Sequence, residues 1–346
     1  MLNFFDQDFT QLTNSLAEIA QPAFRARQIW EAVYKNLVGS WQEMTNLSKD
    51  LREQLQSMYS LSSFSELDIT HSLDGSSTRY LFQLVDGHLI ESVILRSDER
   101  ITLCISAQSG CPIGCAFCAT GRMGFGRDLS SGEIVEQVIH LARILTHGSE
   151  TITNIVMMGM GEPFLNYDAT LSAIRRLNDE KGLRIGARRI TVSTIGLPDK
   201  IRRFADENLQ VNLAISLHAP NDALRALLVP LAHNVSISSI LASCRHYTEH
   251  THRRVTFEYV MIDNLNDQAV HARELAVLLA GMLCHVNLIG LNPTEHFTGC
   301  PSTNAVANEF GRILLKSNIP VSIRNSQGND IQAACGQLAG KIITNQ

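Results

Sequence analysis

The 346-residue chain contains no run of eighteen consecutive apolar residues, so no membrane-spanning helix is expected. Its opening, MLNFFDQDFT, has no basic stretch followed by an apolar core. A secretory signal is therefore not expected, and the chain is predicted to be cytoplasmic. Positive charge is not in excess either. Lys and Arg number 29 against 34 Asp and Glu, a net charge of −5, which argues mildly against a nucleic-acid partner unless the charge is unevenly distributed. Low-complexity segments and short repeats are lacking. What remains is ordinary for a soluble globular protein: 45% hydrophobic and 18% charged residues, in a chain long enough for a full core and two domains. Eight cysteines in a reducing compartment read as metal ligands or catalysts rather than a disulfide framework.

Residues 1–65 are expected to form a small helical accessory domain. RARQIWEAVYKNLV sets Ile29, Val33 and Leu37 at helical spacing, and Ser48 is placed to cap SKDLREQLQSMY. Residues 66–98 change period and read as a β-rich connector with a turn at Asp86-Gly87. Alternation there puts Leu89, Glu91, Val93 and Leu95 on one strand face, and the residues alone favour a rim position for Glu91. From residue 99 to 346, strands alternate with helices. Candidate strands cover 100–106, 152–159, 188–195, 210–217, 254–262 and 285–292, with a last β-like run at 319–326. Six β/α units predict an α/β fold with a parallel sheet curled into a partial (β/α)6 barrel. Ser130 or Ser131 is expected to cap the first long helix of that region.

In such barrels the loops after the strands build the site. The first strand runs straight into CPIGCAFC, where Cys111, Cys115 and Cys118 follow a C-x3-C-x2-C spacing. Three thiolates suit a [4Fe–4S] cluster with one iron left open. The competing reading is zinc completed by a remote histidine such as His140 or His218. Polar residues recur after later strands: Gly161 and Glu162, Ser193, Ser216 to His218, and Asn292. Between Arg175 and Arg203 nine basic residues face three acidic ones, a candidate basic patch at the barrel mouth, and Arg122 and Arg127 flank the cysteine loop. Cys244 and Cys284 read as buried structural residues, and Cys300 has no assigned role.

CPIGCAFC on a six-unit β/α chain resembles the radical S-adenosylmethionine (SAM) superfamily. FCATG, MGMGEP, STIGL, SLHAP and DIQAACGQLAG together resemble its RlmN/Cfr family of RNA adenosine C-methyltransferases, as do the N-terminal RARQIWEAVY and MTNLSKDLR. The resemblance implies cluster ligation by Cys111, Cys115 and Cys118. It implies SAM contacts from Gly161, Glu162, Ser193, Ser216, Leu217, His218 and Asn292. It also implies a methyl-carrying Cys335, a resolving Cys104 that closes a transient disulfide with it, and Glu91 as proton acceptor, against the rim reading. Adenine carbon 2 offers no nucleophile to SAM's methyl group, so the family parks the methyl on a cysteine and spends two SAM per turnover. The implied partners are 23S rRNA, tRNA and a reducing protein such as flavodoxin or ferredoxin, with the enzyme a monomer and no membrane involved. Pro163 resembles the RlmN type, which makes 2-methyladenosine. Gln327, where that type carries arginine, and Gly290, where bulkier residues are usual, leave the Cfr-type carbon-8 reaction open. A zinc-bound RNA-binding module without redox chemistry is the reading from another class.

Overall fold

The computed structural model describes residues 1–230, 234–324 and 326–340. The chain begins with a short strand, β1 (Leu2–Asn3), and three helices, α1 (Phe9–Glu18), α2 (Phe24–Tyr34) and α3 (Lys49–Met58). Asp8 and Gln11 form a capping box on α1, and the Ser48 hydroxyl accepts the Leu51 N–H at the start of α3, as expected. β1 then pairs in parallel with β2 (Tyr59–Ser60), so both ends of the segment meet. Aromatic rings hold its centre. Phe4 lies 5.6–6.4 Å, centroid to centroid, from Phe5, Trp30, Tyr34, Trp41 and Tyr59. Leu37 is not on the helix with Ile29 and Val33. It follows the end of α2 at φ 55°, where its carbonyl accepts a 2.8 Å bond from Arg143 Nε.

Three antiparallel strands follow, β3 (Phe64–His71), β4 (Ser77–Leu84) and β5 (Leu89–Ser97). They join the barrel sheet directly, because β5 pairs antiparallel with β6 (Arg100–Cys104). A side hairpin, β7 (Gln108–Gly110) and β8 (Phe125–Asp128), brackets the cysteine loop and the short α4 (Ala119–Met123). The capping box of α5 (Ser131–His147) uses Ser130 and Glu133. Thereafter β9 (Asn154–Met157), α6 (Tyr167–Asn178), β10 (Ile190–Thr194), α7 (Pro198–Asp206), β11 (Asn212–Ser216), α8 (Asp222–Leu228), α9 (Ile237–Thr251), β12 (Val255–Met261), α10 (Ala269–Leu279), β13 (Cys284–Gly290), α11 (Asn304–Lys316) and β14 (Val321–Arg324) alternate.

The ten-stranded sheet has the order β14-β13-β12-β11-β10-β9-β6-β5-β4-β3. From β6 to β14 every pairing is parallel. The six predicted units are therefore present, and β14 adds a seventh parallel strand at one edge. The sheet stays open, with β14 and β3 as its ends. One face of its parallel strands is packed in the core, where Ile155, Val192, Leu213, Phe257 and Val286 are fully buried, and the other lines the cleft through Ser193, Ser216 and Glu258. Cys244 and Cys284 belong to this core, as expected. Because the strands are parallel, all their C-terminal ends open on one side, and that side carries the cysteine loop.

Candidate active site

The loop after β6 is held by close backbone contacts. Gly110 sits at φ 72°, and a Cβ there would fall 2.0 Å from the Gly124 carbonyl oxygen. Only glycine lets the hairpin close onto Cys111, whose N–H donates to that same carbonyl at 2.9 Å. Gly161, at φ 97°, gives the second close approach, since its Cβ would lie 2.5 Å from Gln108 Cβ. Gln108 also accepts the Glu162 N–H at 2.8 Å and donates to Asp128 at 2.7 Å. This buried amide couples the cysteine loop to the loop after β9, and the sequence reading did not single it out.

Ten of the expected site residues line one cleft. Cys111, Cys115 and Cys118 form one wall, and Gly161, Glu162, Ser193, Ser216, His218, Asn292 and Cys335 form the rest. Burial, the dominant influence, pushes the Cys111 thiol up to about 12 and raises those of Cys115 and Cys118 as well. Leu217 does not line the cleft with its side chain. Its side chain is fully buried in the main core, and its backbone N–H donates to the Glu258 carbonyl at 3.0 Å.

Glu162 is buried, and its carboxylate accepts the Phe164 N–H at 2.9 Å and the Ile195 N–H at 2.7 Å. It thereby fixes the shape of the loops after β9 and β10. Burial lifts its carboxyl to about 7, against the pull of the Thr194 hydroxyl and the two N–H groups. Ser193 and Ser216 meet at 3.3 Å on adjacent strand ends. His218 is held at φ 60°, and Asn266, wholly buried, clamps it by donating to its carbonyl at 2.9 Å and to that of Val260 at 2.6 Å. Burial lowers the His218 pKa to about 3, with Arg225 adding to the effect, so the ring is neutral. Its Nδ1 accepts the Val260 N–H at 3.2 Å, which puts the ring proton on Nε2 and leaves no lone pair for a metal. His140 lies on α5 between Phe64, Phe82 and Glu66, outside the cleft. Neither histidine completes a zinc site. Three thiols from one loop, with neither histidine as a fourth ligand, are a donor set that fits a cluster with one iron left open.

Glu258, another residue the sequence reading missed, lines the same cleft. Asn287 donates to its Oε1 at 2.9 Å, while Oε2 is buried without a partner among the described residues. An unsatisfied buried acceptor suits a ligand carrying N–H or O–H donors, as SAM does. Its signal in the sequence was weak, a lone acid inside an otherwise apolar strand.

Cys335 sits where two cavities meet. The second cavity is lined by Cys104, Cys335, Arg100, Arg324 and Gln327. Asn292 Nδ2 donates to the Cys335 carbonyl at 2.9 Å, and Ala119 N–H donates to the Gly336 carbonyl at 2.7 Å, so the tail is tied to the cysteine loop. Cys335 is solvent-accessible but recessed; desolvation raises its pKa, and the Arg324 charge pulls the other way. Burial holds the Cys104 thiol at about 12. Both cysteines are free thiols. Glu91 is fully buried, which overturns the rim reading. It pairs with Arg79 at 3.1 Å and accepts the Gly340 N–H at 3.1 Å.

The basic stretch does not gather at the mouth. Arg184, Arg188 and Arg189 precede β10 and so lie on the opposite side of the barrel. Arg176 is only 7% exposed, Arg175 pairs with Glu207 and Arg203 with Asp168, each at 2.6 Å. Arg127 is likewise committed, to Glu133 at 2.8 Å and to Asp86. Adding charges along the chain ignored that helices carry half of them away from the strand ends.

A cysteine-bearing loop after the first strand of an open parallel barrel defines a class, and the family models agree. Residues 105–276 match the radical SAM superfamily, and residues 2–61 match the ribosomal RNA large subunit methyltransferase N-terminal domain. The chain is 46% identical to a probable dual-specificity RNA methyltransferase RlmN of Clostridium tetani, covering 100% of this chain and 98% of that one. It is 45% identical to the protein of the same name from Bacillus cytotoxicus, over 94% of this chain and 90% of the other. A crystal structure of a radical SAM methyltransferase from Sphaerobacter thermophilus superposes with a TM-score of 0.97 at 47% identity, covering 99% and 100% of the two chains. The chain belongs to the RlmN family and is a radical SAM RNA methyltransferase. Its superfamily works with a [4Fe–4S] cluster and SAM. Among the described residues no helix is long and apolar enough to cross a membrane.

Proposed function

We propose that this enzyme makes 2-methyladenosine in 23S rRNA at the peptidyl-transferase centre and in tRNA beside the anticodon. Two SAM would be spent per methyl delivered. The observation that carries this reading is the position of Cys335 between the cleft of Cys111, Cys115 and Cys118 and the cavity of Cys104. Cys111, Cys115 and Cys118 would hold the cluster. Gly161, Glu162, Ser193, Ser216, His218 and Asn292, with the backbone of Leu217, would hold SAM. When bound, these groups supply the methyl carbon and the one-electron chemistry that activates it. Residues 1–65 would serve as an accessory domain, 66–98 as the connector and 99–346 as the barrel with its catalytic tail. The protein would act in the cytoplasm as a monomer, reduced by a flavodoxin or ferredoxin.

The protein's own groups account for the rest. The Cys335 sulfur carries the methyl carbon as a thioether; once a hydrogen atom had been lost from it to the bound cofactors, that carbon would bond to the adenine carbon, and the one electron left on the ring would pass back to the cofactors. Glu91 takes the proton from that carbon. Cys104 gives up its proton and attacks the Cys335 sulfur; an S–S bond forms, the S–C bond breaks, and its electron pair stays on the carbon on the RNA, which takes up a proton to complete the methyl group. External reductant restores both thiols. Glu91 is covered by Gly340, so the adenine reaches it only after the end of the tail lifts. Asn292 keeps Cys335 in place while the cleft excludes water. With Arg175, Arg176, Arg184, Arg188 and Arg189 turned away from the strand ends, Arg324 beside Cys104 and Arg122 beside the cysteine loop would meet phosphate.

Regiochemistry turns on the second cavity. Gln327 lines it and donates to the Arg96 carbonyl at 3.1 Å. Gly290 lines the cysteine cleft instead, and a Cβ there would meet only Pro301 Cβ, at 3.9 Å, so a bulkier residue has room at that position. Neither feature redirects the base by itself, and Pro163 and the N-terminal segment favour carbon 2. Nucleoside mass spectrometry of RNA modified by the reconstituted enzyme tests this against 2-methyl and 8-methyl standards. A product made only of 8-methyladenosine would reject the carbon-2 reading. Stoichiometric zinc, with no methylated RNA, would reject the radical reading.

A further inference from the structure

We propose that Asp206, His246 and His250 form a zinc site that clamps the C-terminal end of α7 to that of α9, on the side of the barrel away from the cysteines. Each residue offers one ligand atom, and these atoms lie within 4.8 Å of one another, the only such trio among the described residues. His246 and His250 stand one turn apart on α9, with ring centroids 3.8 Å apart. Asp206, the last residue of α7, reaches them from the neighbouring helix. Phe204 stacks on Tyr247 beneath them at 6.2 Å, fixing the two helices against each other.

Two independent features point to a cation. His250 Nδ1 donates to the His246 carbonyl at 2.9 Å, which assigns the ring proton and leaves Nε2 with the lone pair a metal takes. Metal-binding histidines are oriented in this way by a backbone carbonyl. The second feature is electrostatic. Asp206 puts a carboxylate at the negative end of its own helix, next to the negative end of α9, an arrangement that is unfavourable without a positive charge between them. Two imidazoles and one carboxylate are a zinc donor set, with water in the fourth position. Zn–N bonds of about 2.0 Å put ligand atoms roughly 3.3 Å apart, a closure that rotation of these solvent-facing side chains supplies. Asp206 precedes β11 and His250 precedes β12, so the site lies at the N-terminal ends of the strands. Its role is to brace the barrel.

The test is calorimetric titration of zinc chloride into the full chain carrying its cluster under anaerobic conditions, with iron per chain measured before and after. One zinc per chain is expected, with iron unchanged and the melting temperature raised. His246→Ala and His250→Ala should each weaken binding by at least roughly 10-fold, and Asp206→Asn should weaken it measurably. His252→Ala, an imidazole outside the trio, should bind zinc as the parent does. If either alanine variant fails to fold, His250→Gln is used in its place. Equal binding by parent and His246→Ala/His250→Ala, zinc uptake matched by iron loss, or an unchanged Asp206→Asn isotherm would each overturn the three-ligand site.

Discussion

The N-terminal segment and the barrel mouth are both tightly packed, yet by opposite means. The first is closed by rings: Phe4, Phe5, Trp30, Tyr34, Trp41 and Tyr59 lie almost wholly out of water. The mouth instead buries groups that resist burial, Glu162, Glu258 and His218, beside the half-buried thiols of Cys111, Cys115 and Cys118, and holds Glu162 and His218 with directed backbone hydrogen bonds. Apolar packing accepts many arrangements of similar volume, whereas a buried acid or imidazole is stable only with its partners in place. One region can change in detail and still fold. The other trades stability for buried polar groups that fix the shape of the cleft.

The largest effect should come from the mouth. Cys335→Ala should abolish RNA methylation, because no sulfur remains to carry the methyl group. Iron per chain and thermal unfolding should stay at the parent's values. Residual methylation, assayed with SAM carrying a labelled methyl group, would remove Cys335 from the chemistry. Next comes Cys104→Ala. It should let the carbon–carbon bond form and block release, so protein covalently joined to RNA should accumulate on denaturing gels. Full turnover without adduct would separate the two cysteines that the second cavity brings together.

In the N-terminal segment, Trp30→Ala should cost about 3–5 kcal/mol of stability by leaving a cavity among the rings, measured by denaturant unfolding. Iron content of the folded fraction should be unchanged. A loss below about 1 kcal/mol would mean that the rings do not govern that region as they do here.

The smallest effect lies at the seam between the regions. Glu136 on α5 accepts the Ser63 N–H, at 2.9 and 3.0 Å, and both the Ser62 and Ser63 hydroxyls, yet burial still lifts its carboxyl to about 7. An acid whose native pKa is raised binds its proton more tightly when folded. Stability from this group is therefore present below about pH 4.5 and is lost as pH rises to about 7, by on the order of 3 kcal/mol. Glu136→Gln should flatten the pH dependence of unfolding over that window. An unaltered slope would place the titration elsewhere.

The sequence disclosed the chemistry better than the surface. Spacing alone marked Cys111, Cys115 and Cys118, because ligands from one short loop must be close. The strands were legible because each parallel strand puts a β-branched or aliphatic run into the core between turn and helix signals. Glu91 was misjudged from its own residues because alternation names a strand face without saying what covers it. Here β4 supplies Arg79, and a segment about 250 residues away supplies Gly340. The basic stretch misled for a related reason, since charge summed along a chain says nothing about which end of a helix faces the strand ends. Gln108, Asn266 and Glu258 left little trace, because an amide or acid in an apolar stretch looks alike whether it holds a loop, meets a ligand or faces water.

By itself, then, the sequence determined the open β/α barrel, the three-thiol loop and membership of the RNA-methylating radical SAM enzymes, all properties carried by local pattern. Only the tertiary structure decided that Cys335 stands between two cavities, that His218 is neutral with its proton on Nε2, that Glu91 is sealed beneath the tail, and that Asp206 meets two histidines across a helix pair. Those facts depend on contacts between residues far apart in the chain, and on the loss of water around them, which no local pattern encodes.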